Sequence, residues 1–143
     1  MRHVYLTPYR AILLLIIISG VLVACSGGEP EIAVETVQLD LGDVPNGEIA
    51  THDMVVRNVG QAYLVVENIT TSCGCTTATL EPMQLAPGES GALHIAYDAG
   101  AHGPDLIGPL LRQVFINSND PTHPEVTVEL AVNVTPALQT GSN

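Results

Sequence analysis

Two thiols separated by one glycine, Cys73-Gly74-Cys75, are the residues of this 143-residue chain whose types and spacing most directly suggest chemistry. In an ideal strand, residues i and i+2 share a face at a Cα separation near the ~6.8 Å upper limit for a disulfide, so extended backbone bridges such a pair poorly. Gly74 is the natural hinge: it can take φ > 0 without steric cost and fold the backbone into a small, easily reduced ring. Three outcomes follow: a redox-labile disulfide, half of a soft-metal site, or a strand-edge turn with buried thiols. The residues alone leave all three open.

The third cysteine has a different use. Arg2, His3 and Arg10 precede a nearly continuous apolar run, Ala11 to Leu22, which leads directly into Leu22-Val23-Ala24-Cys25. This arrangement resembles the bacterial lipoprotein signal, with cleavage between Ala24 and Cys25 after a diacylglyceryl thioether forms on the Cys25 sulfur. The apolar run is shorter than the ~20 residues a membrane span needs and ends in Cys-Ser-Gly-Gly rather than a basic stop. Residues 1–24 are therefore expected to be a signal peptide and residues 25–31 a lipid-anchored tether. The location follows: extracytoplasmic, anchored to the cell membrane. Ser26 stands where an inner-membrane retention signal would carry aspartate, which favours the outer membrane in a host that has one.

Charge excludes one class of partner. Arg2 and Arg10 leave with the leader, while all 15 acidic residues follow Cys25, so two cations face 15 carboxylates and the mature formal charge is −13, with no lysine. Such a surface repels nucleic acid, and no nucleic-acid role is expected. It also keeps an exposed domain soluble.

Neither metal nor any other cofactor is expected. A Cys-x-Cys pair joined by histidine or methionine suits Cu(I) or Zn(II) by ligand softness, but the mature histidines, His52, His94, His102 and His123, show no supporting local spacing. His102 and His123 fall in loops beside Gly103 and Pro124, where exposed side chains are expected. Nor is a Cys-His nucleophile expected, because it needs a stabilised thiolate, and only Arg57 and Arg112 offset a strongly acidic chain. Thr71, Thr76, Thr77 and Thr79 read as strand formers, and the Asn68 and Asn133 sequons as chance. No catalytic residue and no small-molecule substrate is evident, and the chain does not read as an enzyme.

The elements that must position the pair are strands. Val126, Val128, Leu130, Val132 and Val134 alternate with Thr127, Glu129, Ala131 and Asn133, giving one dry face. Val37, Leu39 and Leu41 alternate likewise, as do Met54 and Val56, and Leu93, Ile95 and Tyr97 are expected to face inward with His94 outward. Turns are legible at Val44-Pro45-Asn46-Gly47, Asn58-Val59-Gly60, Ala86-Pro87-Gly88-Glu89 and Asn119-Asp120-Pro121. No mature window carries a helical apolar stripe. The expectation is all-β: a single seven-stranded antiparallel sandwich over residues 32–136, with strands near 33–41, 50–58, 62–70, 74–80, 89–97, 110–118 and 125–134, followed by a polar tail over 137–143.

With these elements in place, Asp-Leu-Gly-Asp-Val, Val-Arg-Asn-Val-Gly, Ser72-Cys73-Gly74-Cys75-Thr76, Leu-Ala-Pro-Gly-Glu-Ser and Ser-Asn-Asp-Pro resemble a widespread bacterial family of unknown function, often lipoproteins. That family is similar in fold to the Hydin-type (ASH) immunoglobulin-like domains of ciliary and centrosomal proteins. The resemblance covers about residues 33–135 and implies an immunoglobulin-like fold with no assigned activity. One departure stands out: Asp98 to Leu110 is longer than the usual link before the sixth strand. The expected function is a membrane-anchored binding or scaffolding module, with the membrane, through lipid on Cys25, and another envelope protein as partners. The alternative is a thiol-redox or metal-handling envelope protein acting through Cys73 and Cys75.

Overall fold

The computed structural model describes residues 27–138, so the leader, Cys25 and the last residues of the tail lie outside the described residues. Nine strands follow in chain order: β1 (Ile32–Val34), β2 (Gln38–Pro45), β3 (Ile49–Asn58), β4 (Leu64–Thr71), β5 (Thr76–Glu81), β6 (Gln84–Leu85), β7 (Ser90–Asp98), β8 (Gly108–Ser118) and β9 (Glu125–Thr135). Among the described residues there is no helix. The strands form two sheets, β1-β3-β7-β5 and β2-β9-β8-β4-β6.

The sandwich is as expected; its strand count and pairing are not. Nine strands replace seven because the first run breaks at Glu35–Val37. There the Thr36 hydroxyl accepts from the Gln38 amide at 3.1 Å and lies 2.8 Å from the Gln38 carbonyl, a local turn that moves the chain from one sheet to the other. β1 pairs antiparallel with β3, Ile32 opposite Asn58, whereas β2 runs parallel to β9, Leu39 opposite Leu130. The domain is therefore not wholly antiparallel. Val37, at the break, leaves the core and is 52% exposed. The ninth strand, β6, is two residues long and pairs with the edge of β4, which seats Leu85 completely inside.

Elsewhere the period-2 pattern holds. Val128, Leu130, Val132 and Val134 of β9, Leu93, Ile95 and Tyr97 of β7, and Met54 and Val56 of β3 are all buried. Most of these belong to one aliphatic cluster between the sheets, to which Leu64, Leu80, Val114 and Ile116 contribute from the other strands. Full burial of each such side chain contributes about 1.5–3 kcal/mol.

The two ends of the sandwich are built differently. At one end Asn58, fully buried, donates from Nδ2 to the carbonyls of Ala62 at 2.7 Å and Leu85 at 3.0 Å, and its Oδ1 accepts from the Gly60 amide at 3.0 Å. Gly60 belongs there because a side chain at that position would run into the backbone of Glu29 and Glu31. Those two residues, read from sequence as tether, are bonded to the domain through the Gln61 and Val59 amides, each at 2.9 Å. Asp120, also buried, accepts from the amides of Ile32 at 2.9 Å, Thr122 at 2.8 Å and His123 at 3.0 Å. Burial opposes its ionisation, but the three amides together with His123 outweigh that cost and hold the carboxyl below its usual value. The Val-Arg-Asn-Val-Gly and Ser-Asn-Asp-Pro segments thus serve the fold. The Cys-Gly-Cys turn lies at the opposite end.

Candidate functional site

The turn sits where the chain crosses between sheets. β4 ends at Thr71 in one sheet and β5 starts at Thr76 in the other, and Cys73 and Cys75 are joined as a disulfide with Cα atoms 5.2 Å apart. Ser72 ties the turn to β8, its amide donating to the Gln113 carbonyl and its hydroxyl accepting from the Gln113 amide, both at 2.9 Å. On the far side the Cys75 carbonyl accepts from the Asp98 amide at 2.8 Å. Thr71 Oγ1 lies 2.9 Å from the Cys73 carbonyl and 3.0 Å from the Thr76 carbonyl, so this threonine braces the ring as well as ending a strand.

Gly74 closes the ring by another route than left-handed backbone. Its φ is not among the positive ones, which belong to Gly42, Gly47, Gly88, Gly103 and Gly108, and an added Cβ would meet nothing within 4 Å. The ring closes through an ordinary turn, anchored by the bonds from Ser72 and Asp98 rather than by freedom at the glycine.

The two sulfurs differ in surroundings. Cys75 is buried in a small cluster with Val44, Tyr97, Ala99, Val132 and Val134, while Cys73 packs against the edge of that cluster and is half-buried. The Arg112 Nε donates to Cys75 Sγ at 3.3 Å. Thr76 Oγ1 lies 3.4 Å from Cys73 Sγ and 3.8 Å from Cys75 Sγ. Sequence weighed the two cations against the charge of the whole chain, yet a guanidinium in contact with one sulfur outweighs distant, solvent-screened carboxylates.

The long loop after β7 supplies what local spacing did not suggest. A ring nitrogen of His102 and the two sulfurs lie within 4.8 Å of one another. The loop is pinned beneath by Asn46, largely buried, whose Nδ2 donates to the carbonyls of Gly103 at 2.9 Å and Leu106 at 3.3 Å. Two other described histidines lie elsewhere: His94 pairs with Asp53 at 2.6 Å on the outer face of the β3–β7 sheet, and His123 lies 3.8 Å from Asp120 at the other end. Sequence reasoning named both Arg112 and His102 and expected His102 to be exposed, as it is, but placed neither of them at the cysteines. The only available signal was the unusual length of the 98–110 segment.

With this geometry established, similarity to known proteins can be placed on it. The family described as "Protein of unknown function (DUF1573)" matches residues 32–134, from the first residue of β1 into β9 and including the cysteine turn. The chain belongs to this family. The domain resembles a protein of unknown function from Porphyromonas gingivalis W83, at 25% identity and a TM-score of 0.61, over 74% of this chain and 46% of that one. It therefore spans less than half of that protein's length. The ASH / PapD-like domain 7 of human CEP192 shares the fold at 9% identity and a TM-score of 0.58, over 77% of this chain and 89% of that domain. The YadV chaperone does so at 14% identity and a TM-score of 0.51, over 78% and 54%. No curated protein matches the sequence. Together these place the DUF1573 domain among immunoglobulin-like and PapD-like sandwiches.

A disulfide that closes so short a ring restricts the unfolded chain little. The Cys73→Ser/Cys75→Ser variant is expected to lose only about 1 kcal/mol, below the roughly 2–4 kcal/mol of long-range bridges, because Arg112 can bond to a serine oxygen in place of sulfur. Urea melts measure this. A loss above about 3 kcal/mol would make the bridge a clip that the crossover depends on.

Proposed function

We propose that this DUF1573 chain is a lipid-anchored, extracytoplasmic binding or scaffolding module that positions another envelope protein and performs no catalysis. One observation carries the reading: the described residues complete a sandwich of the kind found in PapD-like domains, one solved example of which is a chaperone. The lipobox at Cys25 supplies the anchor, and Glu29 and Glu31, whose carbonyls accept from the Gln61 and Val59 amides of the turn after β3, tie the segment before β1 to the domain. The acidic surface favours a basic partner and disfavours nucleic acid.

The anchor is tested by metabolic labelling with a radioactive fatty acid. Native chain is expected to carry the label and sediment with membranes, while Cys25→Ala remains an unlabelled, unprocessed precursor. Label on the variant would overturn the anchor. In-cell cross-linking of the anchored protein tests the partner, with a discrete heteromeric adduct expected and monomer alone counting against the scaffold. A second reading, reversible thiol chemistry at Cys73 and Cys75, is favoured by the guanidinium at Cys75 Sγ.

A further inference from the structure

We infer that the reduced Cys73–Cys75 pair and His102 form a three-ligand site for a soft monovalent metal, Cu(I), which the disulfide closes and reduction opens. The inference rests on the second reading above, that the pair is reversibly reducible. Its geometric basis is the triplet of donor atoms within 4.8 Å of one another. A metal bound by sulfur at about 2.3 Å and by imidazole nitrogen at about 2.0 Å places those two atoms no more than ~4.3 Å apart. The bonded sulfurs must first separate on reduction to about 4 Å, the spacing of two ligands at ~2.3 Å around one metal, and His102, on an exposed loop, then closes the remaining distance of up to about 1 Å.

The loop is built to hold the ligand there. Asn46, a largely buried amide, bonds to the carbonyl of Gly103, the residue next to His102, and so sets where the loop backbone passes the sulfurs. Cys75 is buried and Cys73 half-buried, which leaves the metal one protected sulfur and one accessible from outside.

Charge and ligand number select the ion. Two thiolates and a neutral imidazole around Cu(I) form a trigonal unit of net charge −1, and the Arg112 guanidinium already in contact with Cys75 Sγ balances it. Zn(II) in the same place would be neutral, would gain nothing from that guanidinium and would need a fourth ligand. Thiolate and imidazole are soft or borderline donors, which disfavours Mg(II) and Ca(II).

The chemistry balances in two steps. An external dithiol attacks one sulfur of the bridge, and its own disulfide forms as the Cys73–Cys75 bond breaks, so two electrons and two protons pass to the protein. Cu(I) then binds both sulfurs and the His102 nitrogen, with release of the two thiol protons. Once a competing thiolate ligand has taken the copper, an external disulfide re-forms the Cys73–Cys75 bond by exchange, accepting the two electrons and two protons and leaving as its dithiol.

The test uses the full-length chain in detergent, with Cys25→Ser throughout so that only Cys73 and Cys75 contribute thiols. Cu(I) is offered from a bicinchoninate buffer. The dithiol-reduced chain is expected to take one copper and the oxidised chain none, with copper-edge X-ray absorption showing two sulfurs and one nitrogen. Cys73→Ser/Cys75→Ser should take none. His102→Ala should keep its thermal melt, lose the nitrogen and bind at least about tenfold more weakly, since even outer-shell changes cost metal sites about 10- to 100-fold. Unchanged affinity in His102→Ala, or copper left with the chelator by the reduced chain, overturns the site. Alkylation after dithiol treatment separates the two readings: two alkyl groups without copper binding refute the metal site alone, and no alkyl groups refute reversible thiol chemistry together with it.

Discussion

Leu130→Asp is expected to leave the domain unfolded, while Thr127→Asp, on the outer face of the same strand, remains folded. Leu130 is fully buried at the centre of β9, between Leu39 of β2 on one side and Arg112 of β8 on the other. Aspartate there removes the burial of a leucine and puts a carboxylate into the aliphatic cluster beside Arg112, whose guanidinium already bonds to Cys75 Sγ and the Leu111 carbonyl and offsets only part of the cost, about 3 kcal/mol or more in total. That is a large share of the roughly 5–15 kcal/mol by which a domain is stable. Thr127 is half-buried opposite Phe115 on the face where Glu125 and Glu129 already lie, so a carboxylate stays solvated there. Circular dichroism on heating distinguishes the two. Equal melting temperatures would mean that β9 presents its other face to the core.

The second large effect is expected at Asn58. Asn58→Ala deletes two donated bonds to the Ala62 and Leu85 carbonyls and the acceptor for the Gly60 amide in a site without solvent, for a loss of about 3–5 kcal/mol. Asn119 is the matched control. Its amide group also bridges backbone, donating to Tyr63 O at 3.0 Å and accepting from Val65 N at 2.8 Å, but in an exposed position. There water replaces the lost bonds, and Asn119→Ala should cost only about 0.5–1.5 kcal/mol. Urea melts of the pair read the difference. Similar losses would show that burial is not what makes Asn58 matter.

These two predictions rest on patterns of different visibility. The alternation in β9 and β7 is local, so the sequence revealed which side chains face inward, and the structure buries Leu130 and Tyr97 accordingly. The Thr36 turn was hidden because one hydroxyl bonded two residues on breaks a strand without glycine or proline to mark it. The parallel β2–β9 pair was hidden for a related reason: it follows from that break and from no pattern in either strand. At the cysteine turn, Gly74 drew attention to a left-handed backbone that the ring does not use. Arg112 and His102 are separated from Cys75 by 37 and 27 positions, and only the sheet crossing and the Asn46-pinned loop bring them to it. Proximity of that kind leaves no local trace.

The opposed ends of the sandwich set a direction for the whole molecule. From Asn58, beside the start of β1, to Ala50, paired with Tyr97 near the disulfide, β3 runs eight residues, about 27 Å at ~3.4 Å per residue. With lipid on Cys25 as proposed, four residues lead to the first bonded point at Glu29, a reach of at most about 14 Å at ~3.3–3.6 Å per residue. On that proposed anchoring, the turn at Val59–Gln61 is the bilayer-proximal end and the cysteine turn the distal tip. On the same proposed anchoring, delivery and removal of electrons or copper at that tip would fall to soluble partners arriving from the aqueous side.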